Sequence, residues 1–164
     1  MPEGAILLAL VTLQRLGELI HARRNTARLL AHGGREVGAR HYPLIVALHG
    51  GWLAALWLAG WQAALIWPWV AVYALLQVLR AWILASLGPR WTTRIIIVDA
   101  PLCRRGPYRF LRHPNYLLVA AEIACVPLAL GLPWLALVFS AANAGMLYHR
   151  IKVENAALAG NKRN

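Results

Sequence analysis

The chain has 164 residues, 60% of them hydrophobic and only 14% charged, with a mean hydropathy of +0.52 and a net charge of +11. That length suits one domain, read as 1–164, and so apolar a composition excludes an ordinary soluble enzyme and a disordered chain. The charge does not argue for nucleic acid, because it is gathered in a few segments that membrane topology explains.

Apolar runs recur near the length a bilayer demands, roughly 20 residues per helical crossing. Five are expected as spans: about Gly4–Ile20, Leu44–Trp61, Trp69–Leu87, Tyr116–Leu130 and Pro133–Tyr148. The first lacks a basic start and is interrupted by Arg15 and Glu18, so it reads as an uncleaved membrane helix rather than a signal peptide. On it Gln14, Glu18, His21 and Asn25 fall on one face, and Arg15 can pair with Glu18. His41, just before the second span, and His49 within it can face one another only loosely, and without a Cys/His/Asp constellation at ligand spacing no metal site is expected. The third begins at Pro68 and ends at Gly88-Pro89, with Tyr73, Gln77 and Arg80 sharing a face.

After it comes Ile95-Ile96-Ile97-Val98, a β-branched run that reads as a short strand or an interfacial segment. So short a run cannot build a sheet by itself, and the class stays all-α. Cys103 and Cys125 are too few and too separated for a disulfide framework, and both read as free thiols. The fourth span carries Glu122 two turns in. The short fourth and fifth spans share Gly131-Leu132-Pro133 and are expected to form one tight helical hairpin. On the fifth, Ser140, Asn143, Arg150 and Glu154 line up at helical spacing, and the helix is expected to continue to about Leu158. The expected fold is thus a polytopic, all-α integral membrane protein of about five transmembrane helices.

Fifteen of the seventeen Lys and Arg fall between Arg23 and Arg40, between Arg90 and Arg112, or from Arg150 onward. None precedes the first span or lies in Gln62–Pro68 or Gly131–Pro133. With five spans all three basic segments fall on one side, which by the positive-inside pattern is the cytoplasm. Trp61, Trp67, Trp69 and Trp134 gather at the other end, where an aromatic belt is expected. Polar groups at membrane depth, Glu18, Arg80 and Glu122 above all, either cross-link helices or face a site.

The stretch Gly106-Pro107-Tyr108 followed by Arg112-His113-Pro114-Asn115-Tyr116 abuts the fourth span. Pro107 bends the chain, and His113 before Pro114 is driven toward extended backbone, in the N-cap position of the next helix. Free helix amides, the positive end of the dipole and Arg112 together favour an anion there. Tyr108 and Tyr116 add aromatic surface, and Glu154 adds a carboxylate for an amine or for ribose hydroxyls. A zwitterionic nucleoside such as S-adenosylmethionine suits that set, and so does an anionic lipid headgroup.

The run Gly106-Pro107-Tyr108-Arg109-Phe110-Leu111-Arg112-His113-Pro114-Asn115-Tyr116, with Arg150-Ile151-Lys152-Val153-Glu154 beyond it, resembles the signature of the isoprenylcysteine carboxyl methyltransferase family over about residues 90 to 160. Glu18, Asn25, Glu36, His41-Tyr42 and His49 resemble the bacterial members, some of which are linked to methylation of polyketide-derived lipids. The resemblance implies that Tyr108, His113, Asn115, Tyr116 and Glu154 bind S-adenosylmethionine and that Arg150 orients the acceptor's anionic oxygen. It departs at Leu118, where the family often has glycine, and at Asn155, where a second acid often follows Glu154. These readings lead to methyl transfer onto a carboxylate, phenol or enol oxygen of a lipophilic acceptor entering from the bilayer. The last two need a base, for which Glu122, Glu18 and His113 are candidates. The site is expected on the cytoplasmic side of a bacterial inner membrane. Rival readings are a phospholipid amine methyltransferase, a sterol-reductase-like enzyme using a nicotinamide dinucleotide, and a non-catalytic lipid-binding scaffold.

Overall fold

A computed structural model describes residues 2–161; Lys162 and Arg163 of the basic tail lie outside the described residues. In order along the chain come α1 (Glu3–Ala31), β1 (Arg35–Val37), α2 (Tyr42–Gly60), α3 (Trp67–Leu87), β2 (Ile95–Ile97), α4 (Pro114–Ala129) and α5 (Pro133–Asn161), with short 3₁₀ turns between. Pro107, Pro68 and Pro114 all sit in first turns, where a missing amide donor removes no helical bond.

The five-span architecture is not what forms. Among the described residues three helical stretches are long and apolar enough to cross a bilayer, Glu3–Ala31, Ala39–Gly60 and Trp67–Arg90. Helix α4 has 16 residues, about 24 Å at helical rise, against roughly 30 Å of hydrocarbon. The apolar part of α5 ends at Tyr148, before His149 and Arg150. The physical reason for the difference is burial. Half of α4 is buried, including Leu118, Glu122, Ile123, Val126 and Ala129, whereas the three spans have only 17–28% of their apolar windows buried. The fourth apolar run is therefore apolar because it packs on protein, which hydropathy cannot distinguish from facing lipid. Three apolar spans still support an integral membrane location.

Two ends of the molecule can be told apart. At one, the start of α1 meets the α2–α3 link through Gly4 N–H to Ala63 O at 3.0 Å, and Ile66 N–H donates to Ala129 O at 2.8 Å. A Cβ on Gly4 would lie 2.3 Å from Gly60 O, so only glycine permits that approach. Exposed Trp61, Trp67, Trp69 and Trp134 surround this end. At the other end the isoleucine run does find a partner: β2 pairs antiparallel with β1, Glu36 opposite Ile96. Ile95 and Ile97 are buried beneath this two-stranded sheet. The main core, built on Leu8, Val11, Trp52, Leu56, Ile123 and Val126, lies between α1, α2 and α4.

Candidate active site

The loop into α4 is set by sterics. Gly106 has φ +55°, and a Cβ there would fall 2.0 Å from Ser86 Oγ, so the turn rests on glycine. It carries Tyr108 inward against a small core of Ala22, Ile83, Trp91 and Leu118. His113 occupies the N-cap position of α4, and its carbonyl accepts the Tyr116 N–H at 3.2 Å.

Tyr116, one turn into α4, meets α5. Its hydroxyl donates to Glu154 Oε2 at 2.5 Å and accepts from Arg150 Nε at 2.8 Å. His113 stacks on the Tyr116 ring with centroids 5.4 Å apart, has Nδ1 3.8 Å from Glu154 Oε2, and meets Asn155 Oδ1 through Nε2 at 3.3 Å. Arg150 is further fixed by Nη2 donating to the Thr93 carbonyl at 2.6 Å, just before β2. Burial is the main cause that raises the Tyr108 and Tyr116 phenols well above their ordinary value, so both stay protonated through neutral pH. Arg150, Tyr116, Glu154 and His113 therefore form one connected group, with Tyr116 relaying between cation and carboxylate.

The segment before β2 is tied down as well. Asn25 on α1 is buried and donates to Trp91 O at 2.8 Å and Gly88 O at 3.3 Å. Trp91 stacks on His21 and reaches Asn115 Oδ1 at 3.5 Å. Tyr42 OH lies 3.0 Å from Thr93 Oγ1, while Arg94 sits 4.3 Å over the Tyr42 ring and pairs with Glu36 at 2.7 Å. Thr93 and Trp91 escape the sequence reading. Thr93 contributes a backbone carbonyl, which no residue type encodes.

A cavity of about 1160 Å³ opens beside this group and runs on between α1, α2 and α5. Tyr108, His113, Asn115, Tyr116, Arg150 and Glu154 all line it. So do apolar Leu16, Leu19, Ile45, Val46, Leu53 and Met146 on the membrane-spanning side. Small-molecule sites usually hold about 300–1,000 Å³, so there is room for more than one ligand.

Glu122 lies apart from the other candidates. It is fully buried, does not line the cavity, and both its oxygens are occupied. Oε1 accepts from Arg80 Nε at 2.9 Å and Gln77 Nε2 at 3.0 Å; Oε2 accepts from Arg15 Nη2 at 2.6 Å and from Arg80 Nη2. Glu18 completes the group, accepting from Arg80 at 3.0 Å, Arg15 at 3.3 Å and Gln14 at 2.8 Å. Two arginines and two glutamates thus cancel at membrane depth. Leu118 is buried in the small core rather than on the cavity wall, and Asn155 partners His113. Among the described residues no cluster of His, Cys, Asp or Glu is placed to hold a metal ion.

Residues 69–160 match the model of the isoprenylcysteine carboxyl methyltransferase (ICMT) family. The chain is also 35% identical over 159 residues to the uncharacterized protein YpbQ of Bacillus subtilis (strain 168), covering 93% of this chain and 95% of that one. No solved structure matches it significantly.

Proposed function

Because the chain belongs to the isoprenylcysteine carboxyl methyltransferase family, we propose that it is an S-adenosylmethionine-dependent membrane methyltransferase acting on an oxygen of a lipophilic acceptor. One observation carries the reading: a linked cation, phenol, carboxylate and imidazole occupy one part of a cavity that runs on among the spans along apolar Leu16, Leu19, Ile45, Val46, Leu53 and Met146. A water-soluble zwitterion suits the first part, and a lipid suits the second. Residues 90–160 form the cofactor-binding part of a single domain, on the side of the membrane bearing the basic segments. The positive-inside pattern supports the cytoplasmic face for that side, and the bacterial inner membrane is our reading of which membrane it is.

The donor set fits the cofactor. The carboxylate of Glu154 offers acceptor sites for a cation or for ribose hydroxyls beyond the one Tyr116 fills. The His113–Tyr116 stack and Tyr108 supply aromatic surface, and Asn115 an amide. When bound, the cofactor supplies an electrophilic methyl group on a sulfonium sulfur.

The remaining chemistry belongs to the chain. Nε and Nη2 of Arg150 are fixed by Tyr116 and Thr93, while Nη1 has no protein partner among the described residues. That group aligns an anionic acceptor oxygen for in-line attack, where orientation and exclusion of water do most of the work. A carboxylate acceptor is already ionised at neutral pH and needs no base. A phenol or enol does, and His113 is placed for it, whereas Glu122 has no free oxygen to receive a proton. We therefore assign Glu122 as the counter-ion of Arg15 and Arg80 rather than as a base. Methylation neutralises the oxygen and loosens its hold on Arg150, favouring product release.

Calorimetric titration of the purified protein in lipid nanodiscs with S-adenosylmethionine and S-adenosylhomocysteine tests the assignment. Saturable binding by the native protein, weakened roughly 10–100-fold in Glu154→Ala, is expected. Absence of binding by the native protein would remove it.

A further inference from the structure

The cavity wall carries a polar residue that the proposed chemistry leaves unused. Asn143, on α5, is 1% exposed, and neither its amide nitrogen nor its amide oxygen has a hydrogen-bond partner among the described residues. It lines the same cavity as Arg150 and Glu154, two turns nearer the α4–α5 turn than Arg150, or about 10 Å along the axis. Arg15, also on that wall, has an unpartnered buried Nε. Ser140 Oγ is a further orphan, but Ser140 is not on the cavity wall.

Buried amides in folded proteins are nearly always paired, so an orphaned one beside a cavity asks for a partner from the cavity. The chemistry of that partner is constrained. Asn143 presents one donor group and one acceptor, so only a ligand with both satisfies it. A carboxylate would leave the amide oxygen facing a negative charge. Of the ionic side chains sharing the cavity wall, Arg15, Glu18 and Arg80 are already paired with one another or with Glu122. A charged ligand group there would find no free counter-ion among them.

We propose that Asn143 is an acceptor-recognition residue that binds an uncharged group pairing a donor with a carbonyl oxygen, either a carboxamide or a hydroxyl next to a carbonyl. It rests on the methyltransferase reading only in identifying the occupant as the methyl acceptor. Asn143 then sets which lipids enter, because a plain alkyl chain leaves the amide unpaired while a chain bearing such a group pairs it in both directions.

The test uses thermal unfolding of the full chain in detergent with two probes, dodecanamide and dodecane. The amide is expected to raise the native midpoint by roughly 2–4 °C and the alkane to leave it unchanged. In Asn143→Leu the amide-induced rise should vanish, while the ligand-free midpoint rises because no orphan remains; Asn143→Met provides a second shape should leucine overpack. No shift with dodecanamide, or an equal shift in both variants, overturns the proposal. Titration of the same variants with S-adenosylmethionine keeps the two ideas separate. Failure of cofactor binding by the native protein refutes the methyltransferase reading while leaving the amide result to decide the subsite.

Discussion

Arg15, Glu18, Arg80 and Glu122 form one cluster of paired charge, and Arg150, Glu154, Tyr116 and His113 form another. Both pair arginine with glutamate, yet the Glu122 carboxylate is closed off and that of Glu154 is open. In the first, Glu122 is fully buried and each of its oxygens accepts two hydrogen bonds. In the second, the Glu154 side chain keeps 25% of its surface, lines the cavity and receives the Tyr116 hydroxyl on a single oxygen. A charge in a membrane protein is thus informative less by its presence than by the hydrogen-bonding capacity its neighbours leave over.

The sharpest way to break that contrast is to open the closed cluster. Glu122→Ala leaves Arg80 and Arg15 short of a counter-ion at a largely buried site, a class of change costing about 3–5 kcal/mol. Thermal unfolding in detergent should fall by on the order of 10 °C. Glu122→Gln distinguishes the roles more finely. A counter-ion lost lowers the unfolding midpoint, whereas a base lost would lower turnover at an unchanged midpoint.

Opening the other cluster should reverse the pattern. Glu154→Ala removes a partly exposed carboxylate whose neighbours can turn to water, so stability should change little. Cofactor affinity should instead drop roughly 10–100-fold, the loss of a charge-assisted hydrogen bond. Calorimetry and an unfolding curve on one preparation check both halves of that statement.

How far the sequence discloses each region follows from the same distinction. Breakers, the His113-Pro114 N-cap and helical spacing on α5 are local, so the loop and the Arg150–Glu154 face can be read directly. The state of Glu122 cannot, because its donors come from α1 and α3, 42 to 107 residues away. The β1–β2 pairing escapes for a similar reason, since Arg35–Val37 carries no strand pattern of its own and gains one only opposite Ile95–Ile97. The count of spans goes astray at α4 because an apolar helix facing protein and one facing lipid have the same composition.

Smaller perturbations sharpen the comparison within the open cluster. Tyr116→Phe removes the hydroxyl that accepts from Arg150 and donates to Glu154, while keeping the ring on which His113 stacks. One such link is worth about 1 kcal/mol, so acceptor KM should rise about fivefold, with a lesser effect on cofactor affinity. A kinetic split between acceptor KM and cofactor dissociation constant measures it.

Tyr42→Phe should have the smallest effect, because it touches the site at two removes. Its hydroxyl holds Thr93 Oγ1 at 3.0 Å, and the Thr93 carbonyl in turn holds Arg150 Nη2 at 2.6 Å. Arg94 stays over the ring whether or not the hydroxyl is present, so the segment is loosened rather than released. Acceptor KM should rise about two- to threefold, as expected for one neutral hydrogen bond partly replaced by water. Cofactor affinity should not move, since Glu154 and His113 are untouched. An equal loss on both would mean that Thr93 holds up the whole cavity mouth, and Arg150 would then have no separate alignment through that segment.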